Sequence, residues 1–265
     1  MKREFLAEFL GTVVLLFFTN GIVAAGVFFH AWNSFFALAL ITGLGVTLGI
    51  YVASPYSKAH LNPAITLAMA LWRGFPKAKL FPYLLAQFSG AFCGSLLSYA
   101  LYRTSVLTYH GPVPQFFYTS AAPQISHVQA VLIEAVLTAI LTIVIFAVTD
   151  SDNKTIPQGP AGALIIGMTV AILGSSFGSL TGFAMNPARD FGPRLFAYLA
   201  GWGQQALPGN NYFWVPIVGP ILGAALGGLL YEKVLSASLV GESNEVNRQE
   251  VNPVSKSEYI AELSK

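Results

Sequence analysis

The sequence predicts an all-α membrane protein with six transmembrane helices and two re-entrant half-helices, arranged as an inverted repeat. Three observations support this fold class. Only 10% of the 265 residues are charged and 54% are hydrophobic, whereas about a quarter of the residues in soluble domains are charged. Six apolar stretches reach the length of a membrane span. Two shorter apolar pieces open on the same motif.

The composition excludes two classes of protein. A charge content this low excludes an ordinary soluble enzyme. The net charge is only +2, so no basic face is available to bind the phosphates of a nucleic acid. The single cysteine, Cys93, cannot form a disulfide within the chain, and its apolar surroundings predict a small buried side chain.

The membrane spans are predicted from length, because a hydrocarbon core of about 30 Å requires about 20 helical residues. The first stretch, Phe5 to Phe29, is too long for a secretory signal. The other five are Phe35 to Ala53, Leu80 to Leu101, Val128 to Val148, Ala161 to Phe177 and Tyr212 to Leu235. Two pieces, Pro63 to Leu71 and Pro187 to Leu199, are too short to cross the membrane and are predicted as half-helices or surface helices.

The distribution of cations predicts the orientation of the spans. Lysine and arginine collect on the side to which both termini belong, and the opposite side carries only Arg103 in a connecting loop. The positive-inside rule therefore predicts a multi-pass protein of the cell membrane with both termini in the cytoplasm. The cations on that side are Lys2, Arg3, Arg73, Lys77, Lys79, Lys154, Lys233, Arg248, Lys256 and Lys265.

The composition changes abruptly after residue 235. Residues 236–265 are rich in Glu, Asn, Ser and Gln and are predicted to form a disordered cytoplasmic tail. Residues 1–235 form the predicted membrane domain. Its first half covers about 1–103 and its second half about 128–235, and the loop 104–127 joins them.

The chain contains an internal duplication. The two short pieces open on His60-Leu61-Asn62-Pro63-Ala64 and on Ala184-Met185-Asn186-Pro187-Ala188. Each half also carries a glutamate in an otherwise apolar span, Glu8 in the first and Glu134 in the second. Each half has an odd number of spans, so the second half enters the membrane from the opposite side. The prediction is an inverted repeat whose interrupted segments meet near the middle of the bilayer.

The asparagine of each motif is predicted to start a short helix. Asn62 and Asn186 are good N-caps, and Pro63 and Pro187 suit the first helical position, where a missing N–H costs nothing. The two helix N-termini then face one another, each with about half a positive charge. This arrangement repels cations and hydronium, while a neutral hydroxyl accepts a hydrogen bond from the free asparagine amide.

Irregular backbone at membrane depth is tolerated where it lines a wet cavity. The residues that lead into the half-helices are therefore expected to present a ladder of carbonyl acceptors to a pore. These residues are Lys58, Ala59, His60 and Leu61 in the first half and Gly182, Phe183, Ala184 and Met185 in the second. Glu8 and Glu134 are expected to accept hydrogen bonds from backbone N–H groups of these loops. A proton relay is the alternative, although no chain of further acids or histidines continues from either glutamate.

These motifs make the chain similar to the aquaporins, or major intrinsic proteins, from about Glu4 to Lys233. The paired Asn-Pro-Ala signature, with a glutamate in the first and fourth spans, is specific to that family. The second motif reads GFAMNPARDFGPR from Gly182 to Arg194 and resembles the glycerol-facilitator branch, because Asp190 follows Arg189. The run Gly201-Trp202-Gly203 is also typical of that branch. The resemblance implies an aquaporin-like fold, a homotetramer in the lipid bilayer with one pore in each subunit, and no cofactor.

The resemblance also implies a selectivity filter on the extracellular side of the paired motifs. Its matching positions are Thr42, Gly174, Phe183 and Arg189. Arg189 would donate to adjacent hydroxyls through its planar fork and repel cations. Gly174 leaves out a side chain that would narrow the pore. Thr42 stands where glycerol facilitators usually have a tryptophan, so a wider and more polar constriction is expected.

Three charged residues stand close in sequence to the paired motifs. Asp190 and Arg194, at i and i+4 of one helix, are expected to form a structural ion pair, and Asp190 thereby supports its loop. Lys58 stands where the family usually has a small residue. Its charge at the cytoplasmic mouth could attract anions, and a solvated side chain is the alternative.

The predicted function is a passive transmembrane channel for small uncharged solutes that excludes ions and protons, and residues 1–235 are its channel domain. The expected solutes are glycerol, water and other small polyols. Undissociated lactic acid is a further expected solute, because Thr42 and Gly174 together predict a wider filter. The alternative is a proton- or ion-coupled secondary transporter of a small hydroxylated solute, since inverted repeats with broken helices occur there too. Coupling would need a free acid, whereas the membrane acids already have structural assignments.

The sequence does not support an intramembrane enzyme. Of the four histidines only His60 stands beside the predicted pore. No His-Glu-x-x-His pair or Ser/His constellation occurs, so neither a metal nor a catalytic residue is expected. His60 is expected to order its loop or to bend into the cytoplasmic mouth, where its titration would gate flow.

Overall fold

The computed structural model describes residues 1–32, 34–109, 117–153, 155 and 160–236, and every regular element within these ranges is helical. The predicted all-α fold is confirmed. The α-helices of these ranges are α1 (Lys2–Phe29), α2 (Phe35–Ala53), α3 (Pro63–Trp72), α4 (Leu80–Leu107), α5 (His127–Val148), α6 (Pro160–Thr181), α7 (Pro187–Ala197) and α8 (Val215–Leu230).

Six helical segments of the described chain are long and apolar enough to cross a membrane, as predicted. They are Lys2–Phe29, Phe35–Ala53, Lys77–Leu107, His127–Val148, Pro160–Thr181 and Val215–Leu235. The helices α3 and α7 have 10 and 11 residues, which gives each a length of about 15 to 17 Å. They are the two short helices that the sequence predicts.

Some helix boundaries differ from the prediction. α4 extends beyond its predicted end, because Val106 is buried in an apolar cluster with Phe117. α8 begins at Val215 instead of Tyr212, which is buried and donates its hydroxyl to a backbone carbonyl oxygen at 3.3 Å. The second half-helix loses α-helical geometry after Ala197 and continues as a π-helical turn, Tyr198–Trp202.

The spanning helices carry apolar side chains on all faces. Between 33% and 50% of each spanning window is buried inside the protein, so much of each helix faces outward. Large apolar side chains on that outer surface, such as Phe81, Leu101 and Val128, are 73%, 72% and 70% exposed. An apolar exterior of this kind fits a lipid environment rather than water.

Glycines set the contact between the first and last spans of each half in the same way. A Cβ atom on Gly90 of α4 would be 2.5 Å from the carbonyl oxygen of Phe9 on α1. Gly223 of α8 lies even closer to the carbonyl oxygen of Ala135 on α5. Phe9 and Ala135 each follow the glutamate of their half. The two halves therefore repeat one packing arrangement, and these glycines serve contacts inside one chain.

The middle spans of the two halves pack against one another at a second pair of glycines. Gly43 of α2 and Gly167 of α6 each lie against the other's carbonyl oxygen with no room for a side chain. One turn along α2, the Thr47 hydroxyl donates to the carbonyl oxygen of Ala163 at 3.3 Å. This contact joins the two halves of the repeat.

Each half-helix also packs against the last span of the other half. Trp72 at the end of α3 donates its indole N–H to the carbonyl oxygen of Ala225 on α8 at 3.0 Å. In the second half, a Cβ atom on Gly192 of α7 would be 2.6 Å from the Cβ of Ala91 on α4. Each short helix is therefore packed against a spanning helix of the other half and does not lie free on the surface.

The chain divides into a compact unit, Met1–Gly228, and a second unit that begins at Leu229. Of the second unit, residues 229–236 are described, and they end α8 and form the π-helical turn Tyr231–Leu235. The predicted tail, 236–265, lies outside the described residues except for Ser236. Residues 110–116 of the predicted connecting loop lie outside them as well.

Candidate functional site

The two half-helices begin in the same way. Asn62 and Asn186 have extended backbone geometry, and each is followed by a proline at the first helical position. The side-chain oxygen of Asn62 accepts from the N–H of Ala64 at 2.9 Å, and that of Asn186 accepts from the N–H of Ala188 at 3.0 Å. Each asparagine thereby satisfies a free N–H of the first helical turn.

The two asparagines also join the loops of opposite halves. The Asn62 amide donates to the carbonyl oxygen of Met185 at 2.8 Å, and the Asn186 amide donates to the carbonyl oxygen of Leu61 at 2.8 Å. The sequence predicts free amides here, but each amide uses one hydrogen to hold the opposite loop. The amide group has two hydrogens, so one remains for a solute.

The loops that lead into the half-helices are held by the buried glutamates, as expected. Glu8 accepts from the N–H groups of His60 at 3.0 Å and Leu61 at 2.8 Å. Glu134 accepts from the N–H groups of Ala184 at 3.0 Å and Met185 at 2.8 Å. Both glutamates are 0% exposed, and a buried carboxylate needs such donors to compensate for its lost hydration.

Glu8 has additional side-chain donors. Ser57 donates its hydroxyl at 2.7 Å and Gln87 donates its amide at 2.8 Å. Gln87 also donates to the hydroxyl of Thr66 at 2.9 Å, and that hydroxyl lies 3.2 Å from Nδ1 of His60. The network fixes the first loop to α1, α3 and α4.

The backbone of both loops alternates in conformation. Ala59 and Leu61 have φ values of 49° and 51°, and Phe183 and Met185 have φ values of 43° and 51°. Left-handed geometry is costly for residues with a side chain and persists only where surrounding contacts impose it. Here the glutamate hydrogen bonds described above supply those contacts.

A cavity of about 510 Å³ runs along these loops. Its mouth is formed by exposed residues, which include Tyr51, Ser54, Lys58, Thr149 and Pro160. The buried side chains in its lining include those of Thr42, Phe183 and Arg189. The rest of its lining is mostly apolar and includes Leu15, Val46, Ile50, Ile65, Met69, Leu141, Ile145, Ile166 and Val170.

Most of the predicted site residues line this cavity. Both motif asparagines and the predicted ladder residues 58–61 and 183–185 are among the lining residues. Gly182 is not, and a Cβ atom there would be 2.8 Å from the Cβ of Thr119. Gly182 therefore serves the close approach of a neighbouring loop, and its φ of 79° suits glycine.

Of the predicted filter positions, Gly174 lies apart from the cavity lining. A Cβ atom on Gly174 would be 2.7 Å from Cε2 of Phe183 and 2.8 Å from the Cβ of Ala39. Any effect of Gly174 on the width of the pore is therefore indirect. The space left by the missing side chain holds the aromatic ring of Phe183.

The two buried arginines of α7 have different surroundings. Arg194 donates from Nε to Asp190 at 2.8 Å, from Nη2 to the carbonyl oxygen of Thr119 at 2.9 Å and from Nη1 to the carbonyl oxygen of Ala206 at 3.1 Å. The expected ion pair of Asp190 and Arg194 is thus present. For the Arg189 guanidinium, no hydrogen bond or ion pair is found in the described part of the chain, and its Cζ lies 5.9 Å from the centre of the Phe183 ring.

Comparison with known proteins places this site in a family. A family model described as Major intrinsic protein matches residues 1–231 of the chain. The chain belongs to the major intrinsic protein family.

Several relatives of this major intrinsic protein are similar over nearly the whole chain. The Glycerol uptake facilitator protein of Escherichia coli (strain K12) is 45% identical over 258 residues, and the match covers 90% of both chains. The Propanediol uptake facilitator of Salmonella typhimurium (strain LT2) is 44% identical over 254 residues, which covers 90% of this chain and 96% of the relative. The X-ray structure of the aquaglyceroporin from Plasmodium falciparum has 35% sequence identity and a TM-score of 0.83, with coverage of 90% of this chain and 98% of that one.

Membership in the family decides the class of function. Major intrinsic proteins are channels and facilitators, not enzymes, so this multi-pass membrane protein is a passive channel for small solutes. The comparisons give no support to a coupled secondary transporter. Among the described residues there is no group of three or more His, Cys, Asp or Glu side chains that could hold a metal ion.

Two polar residues of this major intrinsic protein support the site although no sequence motif marks them. Thr119 donates both its backbone N–H and its hydroxyl to Asp190, each at 2.7 Å, and lies in a loop without a motif. Gln87 donates a hydrogen bond to the loop-supporting Glu8. Its position could have been noticed in the sequence, because it is a lone amide in an apolar span. Both residues brace the loops and do not line the cavity.

Proposed function

We propose that this channel conducts glycerol, water and other small uncharged solutes and excludes ions and protons. The observation that carries the proposal is the set of hydrogen-bond donors in the lining of the cavity. There the Arg189 guanidinium has no described protein acceptor, and the amides of Asn62 and Asn186 each keep one hydrogen. Such donors favour solutes with hydroxyl oxygens, while the fixed positive charge repels cations.

The names of the relatives support short polyols as the first solutes. One relative is named for glycerol uptake and another for propanediol uptake. The apolar part of the cavity lining suits the carbon chain of such a solute, and the donors in the lining suit its hydroxyl groups. We extend the solute class of these relatives to this chain on that basis.

The proposed selectivity filter consists of Thr42, Gly174, Phe183 and Arg189. Phe183 offers an apolar face and Arg189 offers donors. Thr42 has a smaller side chain than the tryptophan usual in glycerol facilitators, so the filter is proposed to be wide and polar. This width is the reason to include other small polyols and undissociated lactic acid among the solutes.

Proton exclusion is assigned to the two half-helices together with Arg189. The N-termini of α3 and α7 are tied to each other's loops through Asn62 and Asn186. Each terminus carries about half a positive charge, so a hydronium ion at this point is repelled from both sides. The carbonyl oxygens of the loops, residues 58–61 and 183–185, are proposed to accept from solute hydroxyls in sequence.

The proposed placement in the membrane follows the distribution of cations. Both termini lie in the cytoplasm by the positive-inside rule, which puts the mouth with Lys58 on the cytoplasmic side. Residues 1–235 are the proposed channel domain and residues 236–265 the cytoplasmic tail. The assembly is proposed to be a homotetramer on the strength of the family resemblance, with one pore in each subunit.

Stopped-flow light scattering on proteoliposomes tests the proposed function. Water, glycerol, a five-carbon polyol and lactic acid at acidic pH are compared for the native chain, for Thr42→Trp and for empty vesicles. Lactic acid entry is followed with a pH-sensitive dye inside the vesicles. We expect the native chain to conduct all four solutes and Thr42→Trp to retain glycerol but lose the larger polyol.

The outcomes separate the parts of the proposal. Glycerol flux no higher than that of empty vesicles would refute the channel function itself. Glycerol flux without lactic acid flux would remove lactic acid from the solutes. If the native chain and Thr42→Trp pass only water and glycerol alike, Thr42 does not set the size limit, and the protein is an ordinary glycerol facilitator.

A further inference from the structure

The aromatic ring of Phe183 lies in a slot on the surface of α6. Gly174 and Gly178 are four residues apart and therefore lie on the same face of that helix. A Cβ atom on Gly174 would be 2.7 Å from Cε2 of the ring, and a Cβ atom on Gly178 would be 2.7 Å from its Cδ1. The ring thus packs directly on the backbone of α6 at both positions, in the space that two side chains would otherwise fill.

Two residues of α2, also four apart, close the side of this slot. The Cβ position of Gly174 is 2.8 Å from the Cβ atom of Ala39. The Cβ position of Gly178 is 2.9 Å from Cδ1 of Phe35, so the rings of Phe35 and Phe183 meet at this glycine. Phe183 is 2% exposed, whereas Phe35, the first residue of α2, is 37% exposed. The ring seat is defined by these four residues, which are Phe35, Ala39, Gly174 and Gly178.

The ring of Phe183 stands between the ring seat and the cavity. Phe183 lines the cavity, and the residues of the ring seat are not among its lining residues in the described part of the chain. Movement toward α6 is blocked by its backbone, and movement toward α2 is blocked by Ala39 and Phe35. A group added to the ring seat therefore displaces the ring into the cavity, and loss of a group from it allows the ring to withdraw. Close-packed interiors transmit such a displacement instead of absorbing it.

We propose that Phe35 and Gly178 set the size limit of the channel from outside the pore, by positioning the ring of Phe183. The inference rests on the proposed function, because it takes Phe183 as the aromatic residue of the filter. Pore diameter is one of the properties that decide which solutes a channel passes. The solutes that these two residues sort are therefore polyols of different cross-section, with no contact between either residue and the solute.

Two substitutions with opposite expected effects test the inference. Gly178→Ala adds a methyl group 2.7 Å from the ring, which must retreat by about 1 Å to reach an ordinary carbon–carbon contact. Phe35→Ala removes the outer support of the ring. Fluxes of a five-carbon polyol and of water are measured in proteoliposomes. We expect Gly178→Ala to lower the ratio of polyol flux to water flux by about tenfold and Phe35→Ala to raise it by at least about twofold.

The ratio distinguishes positioning from a loss of folded protein, because fewer intact channels lower both fluxes equally. A second background, Phe183→Ala, removes the ring through which both residues act. In that background we expect Gly178→Ala and Phe35→Ala to leave the ratio where Phe183→Ala alone puts it. If Gly178→Ala yields no folded protein, Phe35→Ala still carries the test, since its side chain is partly exposed.

The outcomes separate this inference from the proposed function. A native ratio in both single variants, or the same changes with and without the ring of Phe183, would overturn the positioning role while the channel itself conducts. A shift of the ratio in the same direction in both single variants would also overturn it, because the ring seat requires opposite signs. Absence of any flux above empty vesicles in the native chain would instead refute the proposed function.

Discussion

Gly223 of α8 lies against the carbonyl oxygen of Ala135 on α5 with no space for a side chain between them. Gly90 of α4 has the same relationship to Phe9 on α1. Because Ala135 and Phe9 each follow the loop-supporting glutamate of their half, the contact sets the distance of the last span from the helix that holds the loop. Backbone approach of this kind is the main means by which membrane helices pack closely.

We expect Gly223→Ala to destabilise the protein, since the added Cβ must push α8 away from α5. Overpacking of this kind costs about 1 to 3 kcal/mol. The measurement is the thermal melting temperature of the detergent-purified protein, together with the yield of monodisperse protein. Gly21→Ala is the matched control, because a Cβ atom at Gly21 of α1 would meet nothing within 4 Å. Equal melting temperatures for the two variants would show that α8 can move away from α5 without loss of stability.

The glutamates give a second prediction, which concerns the loops. In Glu134→Gln one of the two accepting oxygens becomes an amide donor, so the N–H of Ala184 or of Met185 loses its partner. A buried unsatisfied donor costs about 1 to 3 kcal/mol, and the left-handed residues of the loop are no longer held. We expect a lower melting temperature and a loss of glycerol flux by at least about tenfold.

Glu4→Gln is the control for this substitution. Glu4 pairs with Lys79 at 2.6 Å, and the two side chains are 22% and 31% exposed, so the pair contributes at most about 1 kcal/mol. Its loss is expected to leave glycerol flux unchanged. Native flux in Glu134→Gln would show that the second loop keeps its conformation without the carboxylate.

The starts of the half-helices could be predicted from sequence because their determinants are local. Asn62 caps its own helix, and the proline after it suits the first helical turn. Glu8 and Glu134 could be assigned to the loops because an acid in an apolar span requires polar partners. The repeat supplied the remaining information, since two copies of one motif restrict the topology.

Other features could not be predicted from the sequence, because they depend on contacts between distant parts of the chain. The ring of Phe183 occupies the space beside Gly174, and nothing in either residue indicates that the two meet. The partners of Asp190 include Thr119, which is distant in sequence and belongs to a loop of irregular structure. The Thr42 hydroxyl has no hydrogen-bond partner among the described residues, and this too depends on which groups the surrounding helices place beside it.

The surroundings of His60 predict that permeability does not change with pH. His60 is 8% exposed, and its ring lies 4.9 Å from the ring of Phe75 and 5.3 Å from that of Tyr83. Burial, and to a lesser extent the positive charge of Lys58, lower the pKa of His60 to about 3, so its imidazole is neutral at physiological pH. We expect a flat glycerol permeability between about pH 5 and pH 8. A reproducible step in that range that disappears in His60→Gln would show that His60 gates the mouth.

The two arginines of α7 give the last prediction, because their burial is similar and their partners differ. Arg194→Met leaves the carboxylate of Asp190 buried without its cation, which costs about 3 to 5 kcal/mol, so we expect little folded protein. Arg189→Met removes a buried charge that has no described acceptor, so its melting temperature is expected to equal or exceed that of the native chain. The filter then lacks its fixed positive charge, and proton entry, followed with a pH-sensitive dye, is expected to rise. Equal destabilisation by both substitutions would mean that Arg189 also supports the fold, and an unchanged proton flux would assign proton exclusion to the half-helix N-termini alone.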